Sequence, residues 1–269
     1  MNNNCKICGA DVTPVFNATV LKKYPVTYFQ CNECKFMQTD KPFWLEESYS
    51  SAITFLDIGL ITRNIKLSEI TSCIIDIAFN ADAKFIDYAG GYGMFVRLMR
   101  DKGYNYFRQD KYCENLFAKS FDIEDIQSGN NEQYELLTAF EIFEHLEDPL
   151  EEIKKMKAYS NNILFSTELQ PQKTLKDPTD WWYIAAETGQ HIAFYTEKSL
   201  NIIAQKLGLK YYKISDNLHL FSDKNVNIKW ISAIENNSKL RFLYKKLIQK
   251  KHKSLLQSDY NNIIGRKVL

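Results

Sequence analysis

No stretch of this 269-residue chain approaches the roughly 18 consecutive apolar residues that a membrane-spanning helix needs. The opening Met-Asn-Asn-Asn-Cys lacks the basic and apolar regions of a secretory signal. Net charge is nearly absent too. The 34 Lys and Arg stand against 33 Asp and Glu, which leaves +1, so nothing draws the chain as a whole towards nucleic acid or a lipid surface. A cytoplasmic protein is expected, with its six cysteines reduced or metal-bound rather than paired as disulfides. At 45% hydrophobic and 25% charged residues, the chain can bury one large core with small additions around it.

Four cysteines are grouped. Cys5-Lys6-Ile7-Cys8 and Cys31-Asn32-Glu33-Cys34 are two C-x2-C pairs with 22 residues between them. Each pair offers two thiolates from one turn, and two such turns complete a tetrahedral zinc site with no open position. Gly9 suits a turn in which backbone amides face sulfur. Tyr28–Gln30 and Phe36–Gln38 read as the short strands of a zinc ribbon, too small to hold itself folded without metal. A redox dithiol pair or free thiols are the alternatives. Cys73 and Cys113 stand alone.

Asp87-Tyr88-Ala89-Gly90-Gly91-Tyr92-Gly93 follows the apolar pair Phe85-Ile86 and leads into the helical pattern Phe95–Met99. A strand ending in an acid and turning through glycines into a helix lets a ligand approach bare backbone at the helix N-terminus. The spacing is near D-x-G-x-G-x-G, with Ala89 at the first glycine position. It is not G-x-G-x-x-G, and no Gly-Lys-Ser/Thr follows, which disfavours a dinucleotide site and a phosphate loop. The stretch resembles the first motif of class I S-adenosylmethionine (SAM)-dependent methyltransferases. That resemblance implies that Asp87, Ala89, Gly90, Gly91 and Gly93 line the cofactor. Alanine is acceptable in such a turn if its φ stays negative.

A segment from about Glu46 to Phe79 has helical periodicity, with Ile61, Ile65, Leu67, Ile70, Ile74 and Ile77 recurring. It includes Asp57-Ile58-Gly59-Leu60 and Arg63-Asn64. By the same resemblance Arg63 meets the SAM carboxylate; otherwise it is a solvated or helix-stabilising arginine. From Lys84 strands and helices alternate, which implies a parallel sheet with helices on both faces and ligands at the strand C-termini. A helix runs to about Lys102, with Gly103 as its stop. A second strand, Asn105–Gln109, ends at Asp110, 23 residues beyond Asp87. That spacing suits an acid that binds ribose hydroxyls; a solvated strand-end carboxylate is the alternative. Phe117–Asp122 reads as a weak third strand whose Phe121 stacks on adenine. Leu136–Glu141 and Asn161–Ser166 read as the fourth and fifth, separated by the polar loop from Gly129 to Gln133 and the helix Pro149–Tyr159.

Phe140-Glu141-Ile142-Phe143-Glu144-His145-Leu146-Glu147-Asp148-Pro149 looks like the "EVLEHL-x-DP" stretch of many class I methyltransferases. Phe140 and Glu141 are thereby placed at the cofactor, with Glu144 and His145 one turn on. An imidazole titrating near 6.5 suits proton acceptance at neutral pH, although His145 can equally cap its turn and pack. Asp148-Pro149 is an N-cap followed by proline at the first helical position.

The insert from Pro171 to Gln190 is long and aromatic, with Trp181-Trp182-Tyr183, as substrate lids commonly are. The three aromatics form either an acceptor platform or lid core. His191-Ile192-Ala193-Phe194-Tyr195-Thr196 resembles a segment of sugar and secondary-metabolite methyltransferases in which this histidine faces the acceptor. His191 is the second candidate base or acceptor ligand, and Thr196 is expected to cap the following helix.

From Cys5 to Ser222 the chain resembles zinc-ribbon methyltransferases, including those that modify deoxysugars. The expected fold is a Rossmann-like class I methyltransferase sheet with a small N-terminal zinc ribbon and a C-terminal helical tail. The expected divisions are 1–42 for the ribbon, 43–222 for the SAM-binding domain with a lid insert at 170–195, and 223–269 for the tail. Sugar C-methyltransferases of that kind carry Tyr-His-Glu-His where this chain has Thr188-Gly189-Gln190-His191, and a large C-terminal domain as well. Methylation of oxygen or nitrogen in a sugar, lipid or small metabolite is therefore expected. A protein or RNA acceptor, or a scaffold subunit without activity, are the alternatives. The ribbon carries few basic residues, so no nucleic-acid partner is expected.

From Lys224 to Leu269 there are 11 Lys or Arg against Glu235 and Asp259, a net of +9, which leaves −8 on the other 223 residues. Leu240, Leu243, Leu247 and Ile248 fall on one helical face among Arg241, Lys245, Lys246, Lys250 and Lys251. Such a helix docks on its own acidic domain, on a second subunit or on an anionic membrane surface.

Overall fold

A computed structural model describes residues 4–49, 58–126, 133–249 and 252–267. Residues 50–57 of the expected helical segment, Asp57 among them, residues 129–132, Lys250 and Lys251 lie outside the described residues. In chain order come strands β1 (Val12–Val20), β2 (Tyr24–Cys31) and β3 (Met37–Thr39), then helices α1 (Leu45–Ser48) and α2 (Leu60–Ala78). Next are β4 (Lys84–Tyr88), α3 (Met94–Asp101), β5 (Asn105–Gln109), β6 (Leu136–Ala139), α4 (Pro149–Tyr159) and β7 (Ile163–Ser166). After them follow β8 (Ala193–Phe194), α5 (Glu197–Lys206), β9 (Lys210–Lys213) and β10 (Leu218–Ser222). The tail forms α6 (Ile228–Asn236), α7 (Ser238–Leu247) and α8 (Leu256–Lys267). Among the described residues no helix is long and apolar enough to cross a membrane.

Two units divide the chain: Met1–Thr54, Phe140–Lys157 and Phe165–Asp223 make the first, and Phe55–Ala139, Ala158–Leu164 and Lys224–Leu269 the second. The first is built on a four-stranded sheet in the order β1-β2-β3-β8. Along β1 the side chains alternate, with Phe16, Ala18 and Val20 inward and Asn17 and Thr19 outward, as a half-buried strand requires. The inward face packs with Val26, Tyr28, Met37 and Trp44, and with Trp181, Tyr183, Ile184 and Phe194 from beyond the fifth expected strand. The insert's aromatics are therefore mostly core. Trp181 and Tyr183 are buried, and Trp182 alone of the three is exposed, at 74%. The first unit also contains the second half of β7, next to β10, and β10 pairs antiparallel with β9.

In the second unit the order is β5-β4-β6-β7, and β4 runs parallel to both β5 and β6. Four of the five β4 residues are buried, the continuous burial of a central parallel strand. This is the expected Rossmann-like α/β sheet. Helix α3 buries Phe95, Val96 and Met99 and stops before Gly103, which takes φ +96°. Helix α2 packs against α3.

Several expectations change. Of the helical segment expected from Glu46, the described residues form one turn of helix, α1, and α2 from Leu60. Of residues 117–122 only Asp122 pairs, by a single parallel bridge to Arg108 of β5, with Phe121 C=O accepting from Arg108 N–H at 2.8 Å. The Asn115 side chain accepts from Ala118 N–H at 2.9 Å and donates to Ala118 C=O at 2.7 Å, a local turn that competes with extended pairing. Strand β6 ends at Ala139 rather than Glu141, because Glu141 takes φ +57° and leaves the strand plane. In α7 it is Tyr244 that is buried, whereas Leu243, Leu247 and Ile248 are exposed; the predicted apolar stripe faces outward. Within the second unit the tail is held by ionic contacts, with Asp259 on Arg100 at 2.6 Å and on Arg97 at 2.9 Å, and Lys245 on Glu69 at 3.3 Å.

Candidate active site

In the first unit the two cysteine turns meet. Cys5 Sγ lies 3.5 Å from Cys34 Sγ, and Cys8 Sγ lies 3.3 Å from Cys31 Sγ. All four sulfurs fall within 4.8 Å of one another. Ile7 N–H points to Cys5 Sγ, and the Glu33 and Cys34 amides point to Cys31 Sγ, each at 3.4 Å. Gly9 takes φ +83°, and its N–H closes the turn on Cys5 C=O at 2.9 Å. The hydrogen bond from the Cys34 thiol holds Cys5 down at about 5, and the same bond raises Cys34. Four converging sulfurs with amide support are the donor set that zinc favours, so the residues fit that ion.

The second unit carries the Gly-rich turn. Asp87, at the end of β4, is buried, and Thr138 Oγ1 donates to its Oδ1 at 2.6 Å. Burial raises the Asp87 carboxyl to about 7 against the opposing Thr138 bond. The chain then runs through left-handed backbone at Ala89 (φ +50°), Gly91 (φ +54°) and Gly93 (φ +82°). The expectation of negative φ at Ala89 is thus overturned: the turn itself demands left-handed backbone there. Gly90 is fixed by space instead. A Cβ at that position would stand 2.7 Å from Asp87 Oδ2 and 3.0 Å from Arg108 Cγ.

Asp110 braces this turn from β5's end. Its Oδ2 accepts from Gly91 N–H, and its Oδ1 from the Tyr112 and Cys113 amides, all at 2.8 Å. Arg108, a residue that sequence reasoning missed, is buried and bonds Asp122, Cys113 C=O and Gly91 C=O. Its position inside a strand gave no signal of a loop function. Phe121 is buried, with the Arg100 guanidinium carbon 3.8 Å from its ring centre, so cation–π packing occupies one face of the ring. Arg63 lies half-buried in the first turn of α2.

The first unit also holds the residues after β6. Half-buried Phe140 is followed by Glu141, whose N–H donates to Ser166 Oγ while Ser166 donates back to Glu141 Oε1, both at 2.7 Å. The next three residues, Phe143–His145, form one 3-10 turn. Phe143 stacks on Phe165 at 3.9 Å between ring centres, which anchors the turn. Glu144 C=O accepts from Ile192 N–H at 2.8 Å, and Tyr195 OH donates to Phe143 C=O at 2.8 Å. His191 is thereby brought to the turn, with its ring centre 5.1 Å from that of His145.

Both imidazoles are held the same way. Nδ1 of His145 lies 3.0 Å from Gln190 C=O, and Nδ1 of His191 lies 2.6 Å from Tyr183 C=O. A carbonyl only accepts, so Nδ1 carries the proton and Nε2 keeps its lone pair. Burial lowers both histidines below their usual range, which keeps them neutral. Glu144 is fully buried, and neither carboxylate oxygen has a hydrogen-bond partner among the described residues. Burial first, then the Glu141 charge, raises it to about 7. Three candidate catalytic groups are therefore neighbours, each with acceptor capacity unspent. The glycine that interrupts the Tyr-His-Glu-His pattern has a reason as well: Gly189 takes φ +67°, and a Cβ there would meet Val20 at 2.8 Å.

A sequence family described as "Methyltransferase domain" matches residues 65–214. No curated protein matches the chain in sequence. Among solved structures, CalO1, a methyltransferase in calicheamicin biosynthesis in its SAH-bound form, is similar at 13% identity and TM-score 0.43, covering 62% of this chain and 56% of its own. An O-methyltransferase family 2 protein from Planctomyces limnophilus in complex with apigenin is similar at 12% identity and TM-score 0.42, covering 67% and 65%. The plantazolicin methyltransferase BpumL in complex with SAH is similar at 13% identity and TM-score 0.44, covering 77% and 90%. The chain thus spans less than two thirds of the length of the first two.

Proposed function

The chain belongs to the methyltransferase-domain family, which takes in its residues 65–214, and on that premise we propose that it transfers the methyl group of SAM to a hydroxyl or amine of a small acceptor, a sugar or related metabolite. The observation that carries this reading is the Asp87–Gly93 turn. Left-handed backbone at three positions and a Gly90 with no room for Cβ leave bare backbone at the start of α3, where the cofactor would lie. Asp87 and Asp110 supply carboxylates for its cationic and hydroxyl groups. Arg63 meets its carboxylate.

SAM supplies an activated methyl: the carbon–sulfur pair leaves with sulfur as S-adenosylhomocysteine (SAH) while the acceptor oxygen or nitrogen bonds to carbon. The protein's work is alignment and proton removal. His145 and His191 receive the acceptor's proton or hydrogen bond on Nε2, and Glu144 balances the charge that results. Cys5, Cys8, Cys31 and Cys34 hold a structural zinc ion with no catalytic part.

Titration calorimetry tests the reading. The chain binds SAM and SAH, and Gly90→Ala weakens both by roughly tenfold or more, since even 1.4 kcal/mol of displaced backbone costs that factor. A wild-type chain that binds neither ligand ends the proposal.

A further inference from the structure

The Glu144, His145 and His191 side chains are arranged in a way that proton transfer alone does not explain. One ligand atom from each lies within 4.8 Å of the other two. Both rings spend Nδ1 on a backbone carbonyl, the orienting bond that metal-ligating histidines make with the nitrogen not facing the ion. Glu144 is fully buried with both oxygens unpartnered among the described residues. Leaving such a carboxylate without a counter-charge or donor costs several kcal/mol. The groups that act most on this carboxyl are the Glu141 charge, the His191 imidazole and the Tyr183 hydroxyl, none of them a fixed cation. A carboxylate and two imidazoles gathered this closely, with no fixed positive charge among the groups that act on them, suit a cation.

We propose that Glu144, His145 and His191 form a second metal site, distinct from the four cysteines, which takes a zinc-class divalent cation through one carboxylate oxygen and two imidazole Nε2 atoms. Two imidazoles and one carboxylate, without sulfur, form a borderline donor set that suits zinc, cobalt, manganese or iron(II) better than calcium or magnesium. Three protein ligands leave a coordination position open, unlike the cysteine site. The site's use in turnover rests on the methyl-transfer reading above, but its existence does not. In that use an acceptor hydroxyl occupies the open position and becomes more acidic there, and the imidazoles serve as ligands rather than bases.

The two sites have different spectra, so one experiment separates them. The full chain is dialysed against cobalt(II) and then free of excess ion, and its metal content and absorption are measured. The expected result is two equivalents per chain. One gives the near-ultraviolet thiolate-to-cobalt band, and the other gives visible absorption without sulfur charge transfer. Glu144→Gln and His191→Gln each weaken the second equivalent roughly tenfold or more, a loss at least as large as that of an orienting partner, and keep the thiolate band. SAM affinity by calorimetry is read on the same samples and is expected to hold, which shows that the variants fold and judges the methyltransferase reading separately. A single equivalent in the wild-type chain, entirely thiolate-bound, overturns the proposal. So does a second equivalent that survives both substitutions.

Discussion

Asp87 and Ala89 show how a binding turn stores unfavourable free energy at single residues. Left-handed backbone costs an L-residue about 1–2 kcal/mol, and Ala89 holds it without glycine's exemption. Asp87 has the larger effect, because it is buried and its carboxyl is raised to about 7 from an unfolded value near 4. A carboxyl with a raised folded value stabilises the fold while protonated. That contribution is complete below the unfolded value and is lost as pH climbs through the folded one. Without SAM, stability should therefore decline between about pH 4 and 7, with Asp87 supplying up to about 1.4 kcal/mol per pH unit. Denaturant unfolding across that window should show a shallower decline in Asp87→Asn than in the wild type. Equal slopes in the two proteins would mean that Asp87 ionises as it does in solvent. The acid, the glycines and the two histidines were legible as residue types at fixed spacing. Their protonation was not, since it depends on burial that one sequence cannot display.

At the scale of elements, the strands that alternate with helices were read almost to the residue, as β5 and α4 show. Their periodicity and stop signals are local. What failed depends on contacts between distant segments. Strand β1, which was not assigned, carries Pro14 and joins its hairpin partner β2 in a sheet that the distant β8 completes. The expected third strand shrank to one bridge at Asp122, after a turn closed by Asn115. Helix α7 turned Leu243 and Leu247 outward, and the tail is anchored by buried Ile231, Ile234 and Tyr244 together with charge. Asp259 on α8 is 2% exposed and grips Arg100, which also donates to Asn105 Oδ1 and Tyr106 C=O and stacks on Phe121. Removing one member of a buried pair strands the other, at about 3–5 kcal/mol. Asp259→Ala should therefore lower the unfolding free energy by about 3 kcal/mol, whereas Lys239→Ala on exposed α7 surface should change it by less than about 0.5. Equal small effects in the two variants would make the buried pair incidental.

Across the whole molecule, the cysteine site reaches further than the ribbon that was expected to contain it. Strand β3 pairs with β8, so residues 193–194 complete the sheet that the cysteines close. Thr196 Oγ1 donates to Cys34 C=O at 2.7 Å, Lys198 Nζ to Glu33 C=O at 2.6 Å, and Lys206 Nζ to Ile7 C=O at 2.6 Å. Each of these carbonyls lies in or beside a cysteine knuckle, and His191 stands two residues before β8. A metal in those knuckles therefore holds the segment that presents His191, and its loss should loosen the acceptor-side groups. The Asp87 turn draws its bracing from Asp110, Arg108 and Thr138, whose cysteine contact is with Cys113 and not with the four clustered cysteines. Stripping the cysteine metal with a strong chelator, or substituting Cys31→Ser, should then depress methyl transfer at least tenfold while SAM affinity stays within about threefold, a shift under 1 kcal/mol. Turnover and calorimetry on the same preparation check it. A parallel collapse of both quantities would show that the zinc sustains the cofactor turn as well, and the route from knuckle to His191 would lose its meaning.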